Sequence, residues 1–252
     1  MLCFITALKS KKVCKNWDRV QELFQSSLYS AYNQIDPDFK IIVVCHEKPK
    51  LKKEYDNRVE FIQVDFSPPP YIHKEMIKDK YKKLTKGMIR ARELNPDFIM
   101  FKDADDLVSR RLSKYANNHK SENGWIIKKG YKWYYGRKWV YYSNKYDCGT
   151  NAIINSKCIK FPKDSSKKSV SECIVLTHGH PIIEKGMKEQ GTPLKLLPFA
   201  GGVHVLGYGD NSQDLDTGVD KPWKGWRYFL RSLRNGYYWP LTENIKEEFS
   251  LV

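Results

Sequence analysis

The chain has 252 residues, enough for one large domain or two small ones, and its 41% hydrophobic content excludes a disordered protein. No run reaches the roughly 20 apolar residues of a membrane-spanning helix, and "MLCFITALKSKK" carries its charge after the apolar run, the reverse of a secretory signal. A formal net charge of +15 favours an anionic partner, whether nucleotide phosphate, nucleic acid or an acidic membrane surface, although a lysine-rich solvated surface also accounts for such an excess.

The first half of the chain alternates strands and helices. "LCFITAL" (2–8) reads as a buried strand. Asn16 is a candidate N-cap, and Val20, Leu23, Phe24, Leu28 and Ala31 follow at helical spacing up to "IDPD". "FKIIVVC" (39–45) and "RVEFIQVDF" (58–66) read as a second and a third strand. After the rigid "SPPP" (67–70), Ile77, Tyr81, Leu84, Met88 and Ala91 mark a second amphipathic helix closed by Asn95-Pro96. "FIMF" (98–101) is the fourth strand. Helices placed between buried strands imply an α/β fold with a mostly parallel central sheet covered on both faces.

The second half differs. "GWIIKKGYKWYYGRKWVYYSN" (124–144) predicts antiparallel strands with a hairpin turn at Gly136-Arg137, and "TNAIINS" (150–156) another strand. "DSSKKSVSE" (164–172) reads as a loop, "HPIIEKGMKEQG" (180–191) as a helix with Gly191 past its end, and "LKLLPFAGGVHVLG" (194–207) as a final strand region. The six cysteines (3, 14, 45, 148, 158 and 173) form no C-x-x-C pair, so a zinc site is not expected. Cys3, Cys45 and Cys158 sit in apolar runs, which fits a reducing, cytoplasmic compartment.

Within a basic chain, "FIMFKDADDLVS" (98–109) concentrates acid: Asp103, Asp105 and Asp106 follow the fourth strand directly. In open α/β sheets ligands bind at the carboxyl ends of strands. Asp103 and Asp105 are two apart and share a side in extended chain. Their repulsion, sharpened by burial, is relieved by a divalent cation such as Mg2+ or Mn2+, which in turn bridges to phosphates. Asp105 and Asp106 also suit the N-terminus of a helix beginning near Leu107, and Asp106 can cap while the other two bind metal. Haloacid-dehalogenase-like phosphatases also place D-x-D after an apolar strand, but on the first strand and with a different continuation.

On these segments the chain resembles a nucleotide-sugar glycosyltransferase of the GT-A fold, similar to the family 2 enzymes. The resemblance implies a GT-A-like catalytic domain over 1–210, with a nucleotide-sugar half (1–106) and a smaller antiparallel acceptor half (107–210), followed by a basic, aromatic C-terminal helical tail (211–252). "LCFITAL" resembles the opening strand, placing Ala7 beside the nucleotide base. "IIVVCHE" resembles the second strand and its turn, with His46 and Glu47 facing the nucleoside. Asp103, Ala104 and Asp105 match the D-x-D segment that holds the cation and donor diphosphate, and His204 in "GGVHVLGYGDN" takes the place that completes the metal or diphosphate site. Lys80, Lys83 and Lys86 recur at helical three-residue spacing and can face the phosphates or form a solvated helix face. Where the family carries an acidic pair as catalytic base, this chain reads "THGHP". His180, then His178, are the candidate bases, with Glu172 and Asp147 as alternatives; inversion follows by family analogy alone. Trp133, Tyr134, Tyr135 and Trp139 either stack on an acceptor sugar or pack as a hairpin on the core.

The implied activity is a Mn2+- or Mg2+-dependent transfer of a sugar from a nucleoside-diphosphate donor to a glycan or lipid-linked hydroxyl, in cell-surface polysaccharide synthesis. In the tail, "DKPWKGWRYFLRSLRNGYYWPL" (220–241) interleaves aromatics with cations, which suits peripheral attachment to an anionic inner-membrane surface or docking on the catalytic core. Two other classes compete. A nucleic-acid-binding protein agrees with the charge but lacks any RNP-type, K-homology or zinc-finger pattern. A sugar nucleotidyltransferase needs a Gly-rich basic loop after its first strand, and "ALKSKKVCKN" has no glycine.

Overall fold

The computed structural model describes residues 1–179, 182–210 and 238–251. Strand β1 (Leu2–Ala7), helix α1 (Trp17–Tyr32), strands β2 (Phe39–Cys45) and β3 (Val59–Gln63), helix α2 (His73–Leu94) and strand β4 (Phe98–Phe101) follow the expected order. Period-2 alternation divides β1 between two cores. Leu2 and Phe4 pack with Val20, Phe24 and Leu28 of α1. Cys3 and Ile5 face the other way, onto Leu84, Met88 and Ala91 of α2. The side chain of Asn16 accepts from the Arg19 amide to start α1, and Asn95, in the left-handed region at φ 47°, ends α2.

Beyond β4 come β5 (Leu107–Val108), α3 (Leu112–Asn117), β6 (Gly124–Ile126), β7 (Gly130–Tyr134), β8 (Trp139–Ser143) and β9 (Ala152–Asn155). Then follow α4 (Lys167–Ser171), α5 (Ile174–Thr177), α6 (Ile183–Glu189), β10 (Lys195–Leu196), β11 (Gly202–Leu206), β12 (Tyr238–Pro240) and α7 (Glu243–Phe249). The central sheet has seven strands in the order β10-β6-β9-β4-β1-β2-β3. Only β9 runs against its neighbours, pairing antiparallel to both β4 and β6. A second sheet, β12-β8-β7-β11-β5, is antiparallel except where β7 and β11 run parallel. The fold is therefore a mixed α/β architecture with a mostly parallel central sheet flanked by helices.

Three expectations need correction. Residues 164–172 are not all loop: the Ser166 hydroxyl accepts from the Ser169 amide and starts the short helix α4. The span 194–207 is two strands in different sheets, separated by a bend at Pro198 that removes a ladder donor. No helix begins at Leu107. That residue opens β5, which pairs with β11 (Val203↔Leu107), and α3 starts at Leu112, so Asp106 is not a helix cap.

The basic, aromatic segment expected to form the tail helix lies outside the described residues up to 237. Past it the chain returns to the body. Strand β12 pairs with β8, and Ile245, Phe249 and Leu251 share an apolar cluster with Leu23, Leu107 and Val203. Among the described residues no helix is long and apolar enough to cross a membrane. All six cysteines are free. Phe249 is 1% exposed and meets the Tyr131 ring edge-on at 5.6 Å. Replacing Phe249 by Ala should cost about 3–5 kcal/mol of unfolding free energy, read from the shift of a urea denaturation midpoint.

Candidate active site

A cavity of about 440 Å3 opens at the carboxyl ends of β1 and β4. Its walls come from Ala7, Leu8 and Lys9 after β1, from α1 and α2, from Asp103 to Asp106 after β4, from Cys148 and Gly149, and from His204, Tyr208 and Asp210. The sheet ends here because the Lys102 amide makes the last bond of the β4 edge, to the Ile5 carbonyl at 2.9 Å. The three aspartates that follow take three separate partners.

Asp103 is held from both sides. Its Oδ1 lies 2.5 Å from Lys80 Nζ on α2. Desolvation works against the Lys80 ammonium, but the charge of Asp103 prevails and raises its pKa. On the other side, a Cβ at position 149 would fall 2.2 Å from Asp103 Oδ2, so this approach requires Gly149. Asp105 Oδ2 accepts from the Tyr208 hydroxyl at 2.6 Å. Burial first, and then Asp105, hold that phenol well above its usual range, so it stays protonated as the donor. Tyr208 is aimed inward by Gly207 and Gly209, both at positive φ (76° and 87°).

Asp106 sits deepest in this wall and is 1% exposed. Thr150 Oγ1 donates to its Oδ2 at 2.7 Å while accepting the Asp103 amide at 2.9 Å. Burial pushes the Asp106 carboxyl up to about 6, with nearby His204 working the other way. The Lys102 ammonium, also buried, bonds the Ser27 hydroxyl and the Asp103 carbonyl, and burial lowers its pKa to about 8. Ser27 in turn donates to the Asp106 carbonyl at 2.7 Å. The turn carrying Asp103 and Asp105 is thus strapped to α1 and to Thr150 by buried polar groups.

Two further anchors shape the cavity. Asp210 accepts the Lys15 and Asn16 amides at 2.9 and 3.0 Å and pairs with Lys9 at 3.2 Å, tying the segment after β11 to the loop after β1. Lys83 is fully buried and donates to Asp79 Oδ2 at 2.7 Å and to the Leu8 carbonyl at 2.8 Å. Desolvation lowers its pKa against the pull of Asp79.

Of the residues expected at the site, Ala7, Lys80, Lys83, Asp103, Ala104, Asp105 and His204 all line this cavity. His204 is 7% exposed, and its Nδ1 has no hydrogen-bond partner among the described residues. Its charge acts on Asp106. Among the described residues no three His, Cys, Asp or Glu side chains are grouped to hold a metal ion. His46 and Glu47 stand behind the wall. His46 is buried with Nε2 3.6 Å from Asp79 Oδ1, and Glu47 accepts from Ser10 Oγ at 2.8 Å. Lys86 is exposed on the outer side of α2.

The expected bases are spread more widely. His178 lines a second cavity of about 60 Å3, which shares Lys80, Asp103 and Gly149 with the first. Glu172 lies on the surface, paired with Lys160 at 2.8 Å, and lines neither cavity. His180 lies outside the described residues. The sequence reading did not single out Lys102, Gly149, Thr150, Tyr208 or Asp210. The one local signal for them is "GYGD" (207–210), two glycines bracketing an aromatic beside a carboxylate.

No family model matches the chain, and no curated protein matches it. Among solved structures, the crystal structure of S. aureus TarS aligns with a TM-score of 0.50 at 10% identity over 81% of this chain. The aligned part is 36% of TarS, so this chain spans little more than a third of that protein. A structure of TarS 1-349 scores 0.44 at 13% identity over 81% of this chain and 60% of that one. The bifunctional IspDF from Campylobacter jejuni scores 0.36 at 13% identity over 81% and 49%. The first of these likenesses shows a fold shared with the aligned part of TarS, consistent with a GT-A-like α/β architecture.

Thr150 serves Asp103 and Asp106 at once. Thr150→Val should cost about 1–3 kcal/mol in chemical denaturation by leaving both groups without their partner, whereas Thr150→Ser should stay near the parent protein.

Proposed function

We propose that the chain is a glycosyltransferase that moves a sugar from a nucleoside-diphosphate donor to a hydroxyl of a glycan or lipid-linked acceptor. The observation that carries this reading is the placement of Asp103 and Asp105 on the wall of one 440 Å3 cavity at the end of the central strand β4. That volume suits a small-molecule ligand. Lys9 and Lys80 on the same wall supply positive charge for a diphosphate. The fold is shared with TarS, a glycosyltransferase of wall teichoic acid, which makes cell-surface polysaccharide synthesis at the cytoplasmic face of the membrane the process we favour.

Two carboxylates on an open wall suit a hard divalent ion that completes its shell with phosphate oxygens, with Lys80 passing from Asp103 to the phosphates as the ion enters. Asp103 and Asp105 would hold Mn2+ or Mg2+, and the bound ion would offset charge developing on the departing diphosphate. The protein's own residues do the rest. Lys80 and Lys9 orient the phosphates, and Tyr208 positions Asp105. The Lys102–Ser27–Thr150 straps keep the two carboxylates from moving apart. His178 lines the adjoining small cavity and would accept the acceptor hydroxyl's proton. His180, two residues on, is the other candidate base, and an attack opposite the leaving group inverts the anomeric carbon.

Isothermal titration with uridine, guanosine and thymidine diphosphates, with and without Mn2+, tests the reading. One of the three should bind, and more tightly with the ion. Asp103→Asn and Asp105→Asn should each weaken that binding about tenfold or more. Absence of binding to any nucleoside diphosphate under either condition sinks the proposal. Gly149→Ala forces a methyl group into Asp103 and should lower the same affinity while the fold persists. His178→Ala and His180→Ala separate the candidate bases: the true one lowers kcat and leaves nucleotide affinity unchanged.

A further inference from the structure

Helix α2 divides its lysines. Between residues 71 and 86 the chain places Lys74, Lys78, Lys80, Lys82, Lys83 and Lys86 against two carboxylates, Glu75 and Asp79. Lys80 and Lys83 turn inward to Asp103 and Asp79. The remaining four are exposed and fall at i, i+4 spacing, which makes a stripe along the outer face of the helix. Like charges at that spacing repel; Glu75 bonds Lys78 at 2.6 Å, and the Lys82 ammonium lies 5.6 Å from the centre of the Phe66 ring.

At the N-terminal end of this stripe lies an apolar group. Tyr71, Ile72 and Ile77 are 50%, 56% and 42% exposed, next to Pro69 and Pro70. Pro69, Met76 and Ile77 also line the active-site cavity, so Tyr71 and Ile72 lie beside it without lining it. Large apolar side chains facing water beside a row of ammonium groups match the two layers of an anionic bilayer surface, headgroups over hydrocarbon. A soluble polyanion would satisfy the lysines but leave the apolar group in water.

We propose that this face of α2 docks on an anionic lipid bilayer, with Lys74, Lys78 and Lys82 on the headgroups and Tyr71 and Ile72 in the apolar boundary. The inference stands on the surface itself and does not depend on the sugar-transfer reading. Taken with that reading, it brings a lipid-borne acceptor beside the cavity.

Flotation of the full chain with phosphatidylcholine vesicles, with or without about a third phosphatidylglycerol, tests it. The parent protein should bind the anionic vesicles and not the neutral ones. Lys74→Gln/Lys78→Gln/Lys82→Gln should lower that partition about a hundredfold. The same exchange at Lys163, Lys167 and Lys168, exposed on and just before α4, should lower it far less. The charge-neutral pair Tyr71→Ser/Ile72→Ser should lower it about tenfold while circular dichroism and nucleotide titration stay as in the parent. Equal loss from both lysine sets, or full binding by Tyr71→Ser/Ile72→Ser, overturns the proposal. So does tighter binding of the parent to soluble polyphosphate than to the anionic vesicles, which would mark a polyanion surface. Failure here leaves the nucleotide titration untouched, and failure of that titration leaves vesicle binding untouched, so the two ideas fall separately.

Discussion

Three carboxylates within four residues, at the rim of an apolar sheet, set the problem that the rest of this structure answers. Charges so close in a medium less polar than water raise one another's cost of ionisation, and burial adds to it. The fold meets that cost by separation. Asp103 pairs directly with Lys80, Asp105 receives the Tyr208 hydroxyl, and Asp106 is buried against Thr150. Each partner comes from a different element, so α2, the segment after β11 and the start of β9 must all be in place before the turn can hold its shape. The second sheet, through β5 and β11, delivers one of these walls, which is why the acceptor-side strands cannot be regarded as an appendage to the central sheet.

Buried Lys102 adds a second level. Its ammonium is one residue from Asp103 in sequence but points the opposite way, to Ser27 on α1. Removing one partner from a buried polar set leaves the other uncompensated, so such a set fixes geometry more than it adds stability. The two outward aspartates thereby inherit rigidity from groups that no ligand touches.

Much of the fold was legible because its signals are local. Val20, Leu23, Phe24, Leu28 and Ala31 are all buried as their spacing demands, and Asn16 caps the helix they belong to. The acidic segment was legible too, since an apolar run breaking into D-x-D needs no distant information. The role of Asp106 was not. Three adjacent carboxylates look alike in sequence, and which one turns inward depends on Thr150 and on the backbone of Val205, both far along the chain. Tyr208 escaped for the same reason, lying 103 residues from the carboxylate it bonds. At Leu107, two apolar residues read equally well as the opening of a helix or a strand, and pairing with β11 decided the matter. The short helix α4 hid in a polar stretch because its cap, Ser166, is indistinguishable from a loop serine without its bond to Ser169.

The Lys83–Asp79 pair has a mechanical meaning. It joins two turns of α2 to the Leu8 carbonyl at the tip of β1 from a largely buried position. Prising α2 away from β1 would strand an ammonium and a carboxylate in an apolar surround, at a cost of about 3–5 kcal/mol. That flank of the cleft is therefore clamped when the chain folds, and its aperture is set in advance of any guest. Any widening of the cleft has to come from the opposite bank.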